Sequence, residues 1–256
     1  MKLSIITINY NDKKGLQKTI LSVIKQVYKD FEFVIIDGGS NDGSKELIEQ
    51  HSNDLSYWVS ELDNGVYHAM NKGIRASKGE YCLFLNSGDE LINENALYKV
   101  SQHIFSEDII AFDSLIIGIV HSYTCHPKSI SIDFLWNSTI CHQSAIIKKN
   151  LLMKLNYDES LKIVSDWKFF ILAIFKAGAT YKKVNEIISI YYLNGMSSNP
   201  KNDTLINNER NQVLQTEFKW LFPIMTELNS LKSTLNLLKS SRKIRLLQYL
   251  KIIRKF

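Results

Sequence analysis

Short apolar runs alternate with helical stripes through the first third of the chain. Runs rich in β-branched and aromatic residues predict strands, and apolar positions spaced three or four apart predict helices. A strand–helix alternation is typical of a parallel sheet with right-handed crossovers, so we predict an α/β fold. The predicted strands are residues 2–8, 31–36, 55–59 and 81–85, and the predicted helices are residues 13–26, 44–50 and 65–76, with Ser44 and Asn64 as N-caps.

The rest of the chain is less regular. Residues 97–105 and 207–222 predict helices, residues 108–119 predict a strand, and residues 140–147 form a further apolar run. Another apolar helix is expected directly after Ser165-Asp166. A Pro at position 223 is a natural point for a boundary, because Pro cannot continue a preceding helix. We therefore predict a domain of residues 1–222 followed by a helical tail of residues 223–256.

The tail is a basic amphipathic segment. Residues 228–256 carry eight Lys and Arg and no acidic residue, although the whole chain has a net charge of only +5. Leu228, Leu231, Leu235 and Leu238 recur at helical spacing, and Leu246, Leu250 and Ile253 continue the stripe. Such a helix is typical of binding to a membrane surface. Packing on the chain's own body or in a homodimer stays open, whereas a nucleic-acid partner is not expected, because no nucleic-acid module is present.

Composition limits the class of protein and the compartment that the chain can belong to. The chain is 45% hydrophobic and 22% charged, which is ordinary for a globular protein. Its three cysteines are widely spaced and form no CxxC pattern, which argues against a disulfide framework or a zinc site and favours a reducing compartment. No apolar run has the length of a signal sequence or a membrane span. We therefore expect a cytoplasmic protein.

Polar side chains stand at the ends of all four predicted strands: Thr7 and Asn9, then Asp37, then Asp63, then Asp89. Ligands bind outside the carboxyl ends of strands in open parallel sheets, so we expect these side chains to share one ligand site. Neither GxGxxG after the first strand nor GxxxxGK[ST] occurs, which excludes the usual phosphate-binding loops. Because acidic groups facing a phosphate need a cation between them, we expect Mg²⁺ or Mn²⁺ at this site.

The fourth strand end is the most abrupt. Residues 81–90 read YCLFLNSGDE, an apolar run followed at once by Asn86, Ser87, Gly88 and Asp89. A carboxylate just past a strand end is well placed to hold a hard cation against a phosphate. The same residue types also make simple tight turns, and this alternative stays open when the stretch is taken alone.

Four segments in order resemble one known family. They read SIITINYND, FVIIDGGSNDGS, ELDNGVYHAMNKGI and LFLNSGDE. Together they resemble the inverting family 2 glycosyltransferases of GT-A fold, in particular the bacterial enzymes of O-antigen, capsule and colanic acid synthesis. The resemblance extends to about Ser198. It implies a mostly parallel, Rossmann-like sheet flanked by helices, with a nucleotide-sugar-binding half in residues 1–100 and an acceptor and catalytic-base half in residues 101–222.

The resemblance also implies roles for the strand-end residues. Thr7, Asn9 and Asp37 would bind the nucleoside, with Asp37 on the uracil ring, and Asp63 would lie near the base and ribose. The Asn86–Asp89 stretch stands where the family has its DxD motif, so that Asp89 would bind the metal while Asn86 replaces the first acid. The other residues implied in donor binding are Lys72, Ser87, Gly88, His142 and Gln143.

The second half would supply the chemistry. Asp166 matches the second acid of the family's glutamate–aspartate motif and would be the catalytic base, with Ser165 in place of the Glu. Asp158 is the competing carboxylate and is expected to be structural. Residues 195–198 resemble the family's closing loop after the last strand.

The expected activity is inverting transfer of a sugar from a UDP-sugar to a lipid-linked, polyprenyl diphosphate saccharide. It would take place at the cytoplasmic face of the inner membrane, where the tail would bind. Two other classes stay open. A nucleotidyltransferase acting on sugar phosphates would release pyrophosphate, and a non-catalytic saccharide-binding or scaffold protein would turn over no donor.

Overall fold

The computed structural model describes residues 2–103, 106–118, 121–193, 195–242 and 245. The chain divides into two compact units, Met1–Asn207 and Asn208–Phe256. The predicted boundary at Pro223 instead falls at the start of a helix inside the second unit, and that domain division stays a prediction. Among the described residues, no helix combines the length and apolarity needed to cross a bilayer.

The first part of the sheet follows the predicted alternation of strands and helices. The strands run parallel in the order β3-β2-β1-β4, and the register pairs Asn9 with Asp37 and Asp37 with Ser60. Every residue of β1 is buried, as expected for a central strand covered on both faces. The elements are β1 (Leu3–Asn9), α1 (Lys13–Ile24), β2 (Phe31–Asp37), α2 (Ser44–Gln50), β3 (Tyr57–Ser60), α3 (Val66–Ala76) and β4 (Tyr81–Phe84).

Beyond β4 the sheet becomes mixed. β8 lies antiparallel between β4 and β6, and β9 runs parallel to β6. Within the described residues the sheet has nine strands in one continuous hydrogen-bonded array. The remaining elements are β5 (Glu90–Leu91), α4 (Ala96–Ser101), β6 (Ile109–Ile117), β7 (Ser122–Tyr123), α5 (Ile132–Asn137), β8 (Ala145–Lys148), α6 (Lys149–Leu155), α7 (Ser165–Phe175), β9 (Tyr181–Tyr192), α8 (Asp203–Glu217) and α9 (Phe222–Ser240).

The core lies between the sheet and its flanking helices. Leu16, Ile20 and Val23 of α1 pack in one cluster with the apolar side chains of β1, β2 and β4. On α3, a Cβ added at Gly73 would lie 2.4 Å from the Ile6 side chain, so only glycine allows this close packing of the helix on β1. The packing places the first turn of α3 above the carboxyl ends of the strands.

Several helix starts and ends depart from the predictions, including α1, which ends at Ile24, and α4, which ends at Ser101. Gly43 and Gly65, with φ of +90° and +116°, occupy the N-cap positions expected for Ser44 and Asn64. Only glycine adopts such φ values without steric cost. The single helix predicted over residues 207–222 is two helices, because α8 ends at Glu217 and α9 begins at Phe222.

The second unit exposes an apolar stripe. α9 leaves Leu231, Leu235, Leu237 and Leu238 open to solvent, and Leu231 is 60% exposed. The predicted continuation of the stripe through Leu246, Leu250 and Ile253 lies outside the described residues, as do positions 104–105 and 119 of two other predicted segments.

Candidate active site

A cavity of about 240 Å³ opens at the carboxyl ends of the parallel strands. Seven of the predicted site residues line it: Asn86, Ser87, Gly88, Asp89, His142, Gln143 and Asp166. They come from the loop after β4, a 3₁₀ turn before β8 and the first turn of α7. The fold therefore brings the predicted metal-binding and catalytic carboxylates to one cavity, although they are distant in the chain.

The remaining predicted residues do not line the cavity. At the end of β2, the fully buried Asp37 accepts hydrogen bonds from Asn9 Nδ2 at 2.6 Å, from the Ser40 backbone and hydroxyl at 3.0 and 2.6 Å, and from the Ser60 hydroxyl at 2.6 Å. Burial raises the pKa of Asp37, but these hydrogen bonds outweigh it and hold the pKa below its usual value. The loop after β2 is therefore organised by an ionised carboxylate.

The end of β1 connects this loop to the cavity. Asn9 donates to Asp37 and accepts at Oδ1 from the Ser87 hydroxyl, at 2.7 Å. Thr7 is completely buried, and its Oγ1 has no hydrogen-bond partner within the described structure. Neither side chain lines the cavity, and their contact with a nucleoside stays a prediction.

The other two predicted donor-binding residues, Asp63 and Lys72, also lie outside the cavity lining. Asp63 accepts at Oδ1 from the Gly65 backbone at 2.9 Å, and its Oδ2 would lie 2.6 Å from a Cβ added at Gly38. Lys72 forms a 2.8 Å ion pair with Glu61 and does not line the cavity. Tyr10 is 66% exposed, and its ring lies close to Gly38.

The loop after β4 is held from below by α1. The Thr19 hydroxyl donates to the Asp89 carbonyl at 2.7 Å and accepts from the Gly88 backbone at 3.1 Å. Asp89 Oδ2 accepts from the Asn86 backbone N–H at 3.1 Å. Asp89 is only 8% exposed, and its burial raises its pKa to about 7 against the charge of His142 and that one hydrogen bond. This carboxyl group is therefore buried without the partners that its charge requires.

A line of side chains joins this loop to Asp166. Asn86 Nδ2 lies 3.3 Å from His142 Nε2, and His142 Nδ1 lies 3.0 Å from Asp166 Oδ2. Asp166 Oδ1 accepts from the Trp167 backbone at 2.9 Å. Burial raises the pKa of Asp166 and lowers that of His142, but their mutual contact reverses both shifts, so the Asp166 pKa falls and the His142 pKa rises. The two groups are thus a hydrogen-bonded pair at one end of the cavity.

The competing carboxylate is used elsewhere. Asp158 accepts from Lys168 Nζ at 2.7 Å and from the Ser160 backbone and hydroxyl at 3.0 and 2.6 Å. Burial raises its pKa, but these partners bring it below the usual value. Asp158 does not line the cavity, and its geometry supports the structural role expected for it.

The far wall contains residues that the sequence reasoning did not single out. Tyr191 and Tyr192, at the end of β9, line the cavity, and the Tyr192 hydroxyl donates to Glu90 at 2.7 Å. Gly195, Met196 and Ser197 of the predicted closing segment also line it. From sequence alone, a pair of aromatic residues at a strand end is most simply assigned to the hydrophobic core. The two tyrosines were therefore not predicted, because their position depends on the neighbouring strands.

The loop at Asp89 fits a divalent cation only in part. No group of three or more His, Cys, Asp or Glu that could hold a metal occurs in the described part of the chain. Asn86 Oδ1, however, is buried without a hydrogen-bond partner, and it lines the same cavity as the Asp89 carboxylate. Mg²⁺ binds through one or two carboxylates together with substrate phosphates. One carboxylate and one amide oxygen therefore fit a cation that arrives with a phosphate ligand.

Comparison with known proteins places the chain in a family. The model described as "Glycosyl transferase family 2" matches residues 4–165. An uncharacterized glycosyltransferase of Mycobacterium tuberculosis is 30% identical over 179 residues, which cover 67% of this chain and 68% of the relative. The family match includes the ends of β1, β2 and β4.

Two solved structures share the fold. S. aureus TarS 1-349 in complex with UDP-GlcNAc superposes with a TM-score of 0.66 at 19% identity, over 84% of this chain and 67% of that one. A mannosyltransferase from Pyrobaculum calidifontis in complex with GDP-Man and Mn²⁺ superposes with a TM-score of 0.60 at 14% identity, over 96% of this chain and 82% of that one. This chain spans about two thirds of the TarS 1-349 chain.

Proposed function

The chain belongs to glycosyl transferase family 2, and we propose that it transfers a sugar from a UDP-sugar to an acceptor hydroxyl with inversion at the anomeric carbon. The observation that carries this proposal is the meeting of Asp89 and Asp166 in one cavity at the strand ends. One carboxylate suits the diphosphate end of a donor, and the other suits an attacking hydroxyl. A UDP donor is supported by the fold neighbour that binds UDP-GlcNAc.

Residues of this chain have separate tasks in the reaction. Asp166 takes the proton from the acceptor hydroxyl as its oxygen bonds to the anomeric carbon. The bond from that carbon to the diphosphate breaks, and UDP leaves with the electron pair. Attack on the face opposite to the leaving group inverts the configuration, as in inverting glycosidases.

Asp89 and Asn86 Oδ1 would hold a divalent cation against the diphosphate. Its chemical contribution when bound is to neutralise charge that develops on the leaving group. The need for such neutralisation is clear from the cavity itself, since none of its described lining residues is Lys or Arg. A fold neighbour contains Mn²⁺ together with its nucleotide sugar.

Turnover assays test this function directly. Full-length protein, a UDP-sugar panel and Mg²⁺ or Mn²⁺ should release UDP, and EDTA should abolish the release. Release of pyrophosphate from a sugar phosphate and UTP would instead identify a nucleotidyltransferase. If no UDP-sugar is turned over and UDP nevertheless binds, a non-catalytic saccharide-binding or scaffold role replaces the proposal.

The acceptor we propose is a lipid-linked saccharide at the cytoplasmic face of the inner membrane. Its support is the tail, where exposed leucines of α9 are followed by a run of Lys and Arg without acids. Anionic lipids attract such a segment at about 1 kcal/mol per well-placed cation. The exposed leucines would then insert at the interface.

Vesicle flotation tests the tail in the full-length protein. Binding to anionic vesicles, but not to zwitterionic ones, should weaken as salt rises. Replacing Arg242, Lys243 and Arg245 by Gln should reduce it. The matched control replaces Lys14, Lys45 and Lys78, three exposed cations of the first unit, and should bind as wild type does. Absence of binding at low salt would make the tail a packing or homodimer element.

A further inference from the structure

His142 makes a contact that donor binding does not explain. It stands in the 3₁₀ turn His142–Ser144, and its Nδ1 lies 3.0 Å from Asp166 Oδ2 across a gap of 24 residues in the chain. We propose that His142 is a positioning residue that holds the Asp166 carboxylate toward the acceptor hydroxyl. This inference rests on the proposed function, and it assigns His142 to the base rather than to the donor.

The carboxylate needs such support because its own helix holds only one oxygen. Oδ1 accepts from the Trp167 backbone at 2.9 Å, within the first turn of α7, and from the Tyr67 hydroxyl at 3.3 Å. In the described part of the chain, His142 is the side chain that donates to Oδ2. The χ2 torsion of Asp is broad and soft, so a carboxylate held at one oxygen alone rotates easily. A base must stay within about 2.6–3.2 Å of the proton that it takes, and rotation removes it from that range.

Both nitrogens of His142 are already engaged. Nδ1 faces Asp166, and Nε2 lies 3.3 Å from Asn86 Nδ2. Neither nitrogen is directed at the open cavity to receive a hydroxyl proton. Asp166, by contrast, keeps further lone pairs on both oxygens and lines the cavity. The geometry therefore makes Asp166 the base and His142 its support.

The fold holds His142 firmly enough for this task. The preceding residue, Cys141, donates its backbone N–H to His126 Nε2 at 3.1 Å. His126 Nδ1 in turn donates to the Phe112 carbonyl of β6 at 2.8 Å. The residue after it, Gln143, is buried, and Ser144 leads directly into β8. The imidazole is thus attached to the sheet on both sides, whereas Asp166 belongs to a helix.

Two substitutions separate the two contacts of His142. The amide nitrogen of Asn can occupy the position of Nδ1, so His142→Asn keeps a donor for Asp166 and loses the contact with Asn86. The longer His142→Gln reaches the position of Nε2, so it keeps the Asn86 contact and loses the donor. We expect His142→Gln and His142→Ala to lower kcat by roughly 10–100-fold, the usual effect of losing a group that orients a reactive one. His142→Asn should retain most of the wild-type kcat, and UDP affinity should stay near wild type in all three variants.

Other results would overturn the proposal. Equal loss of kcat in all three variants would make His142 itself the proton acceptor. If His142→Gln retained kcat and His142→Asn lost it, the contact of His142 with Asn86 would be the one that matters. A loss of UDP affinity in place of kcat would return His142 to donor binding, and wild-type activity in all three variants would leave it without a role.

A measurement without turnover keeps this inference separate from the proposed function. Long-range ¹H–¹⁵N spectra of the imidazoles, with His142 assigned through its loss in His142→Asn, should show a proton on Nδ1 in wild type and a changed ring signal in Asp166→Ala. An unprotonated Nδ1 overturns the contact even where a variant fails to fold. Absence of any UDP-sugar turnover, with the Nδ1 proton present, would refute the function and leave the contact in place.

Discussion

Two aspartates at the same edge of the sheet are treated in opposite ways by their surroundings. Asp37, at the end of β2, is fully buried with four hydrogen bonds, and its pKa is lowered. Asp89, just past the end of β4, is almost as buried with one backbone hydrogen bond, and its pKa is raised to about 7. Burial is common to both, so the difference lies in the partners.

The difference distinguishes a region whose polar groups are satisfied, around Asp37, from one whose polar groups are not, around Asp89. Around Asp37 the chain satisfies the charge internally, so this region is organised before any ligand arrives. Around Asp89 the chain leaves both a carboxylate and the Asn86 amide oxygen without sufficient partners. Unsatisfied buried groups destabilise the folded state, and they persist where function requires them. The region around Asp37, proposed to bind the nucleoside, is therefore satisfied internally, whereas the region proposed to bind the cation leaves groups available to a ligand.

The strongest test of this contrast is Asp89→Asn. We expect loss of transfer, because the charge that would hold the cation is gone. The same variant should be more stable than wild type at pH 8, by on the order of 4 kcal/mol for a pKa raised by about three units. Thermal unfolding with and without Mg²⁺ measures the gain, and UDP release measures the loss.

The raised pKa of Asp89 also fixes how the stability of the protein changes with pH. Native Asp89 keeps its proton up to about pH 7, while the unfolded chain releases it near the ordinary value of 3.8. The wild-type protein therefore loses stability as pH rises from about 4 to 7, and the advantage of Asp89→Asn should vanish near pH 4. The matched control is Glu32→Gln, which removes the charge of a buried acid that accepts from Ser4, Lys78 and Gly79 and should destabilise instead. Destabilisation by Asp89→Asn at pH 8 would contradict the contrast.

The second test concerns the base. Asp166→Asn keeps the size of the side chain but removes the proton acceptor, so kcat should fall by roughly 10²–10⁴-fold while UDP affinity stays near wild type. Asp158→Asn is the control, because Asp158 is paired with Lys168 outside the cavity and should leave kcat almost unchanged. If Asp158→Asn shows the larger loss, the two carboxylates exchange roles.

Much of this arrangement was predictable because the relevant signals are local. Strand ends follow from apolar runs that stop abruptly, and the topology of parallel strands then brings Asp37 and Asp89 to one edge. The first turn of α7 was equally visible at Ser165-Asp166. Family membership, predicted from four short segments, is confirmed by the match over residues 4–165.

The rest depended on contacts between distant parts of the chain. The placement of β8 between β4 and β6 is what brings His142 to Asp166, and no periodicity within residues 140–147 encodes that pairing. Tyr67 and Tyr191 line the cavity for the same reason. The two misassigned N-caps had a different cause, since side-chain preferences favoured Ser44 and Asn64 while the backbone at Gly43 and Gly65 needed a positive φ.

The smallest effect is expected from a substitution at Asp37. Asp37→Asn replaces one acceptor oxygen by an amide that cannot accept from its donors, including Asn9, Ser40 and Ser60. Losing satisfied bonds in a buried position should lower the free energy of unfolding by about 1–3 kcal/mol at neutral pH. The wild-type carboxylate stabilises the folded state above its unfolded pKa and loses this effect as pH falls, so the difference in stability between variant and wild type should shrink in acid.

UDP affinity should also weaken in Asp37→Asn, through disorder of the loop after β2. Asp42→Asn alters an exposed acid of the same loop, which accepts from Lys13 and Ser44, and should leave UDP affinity unchanged. Calorimetric titration with UDP compares the two, and equal affinity for Asp37→Asn and wild type would show that this buried carboxylate serves the fold alone.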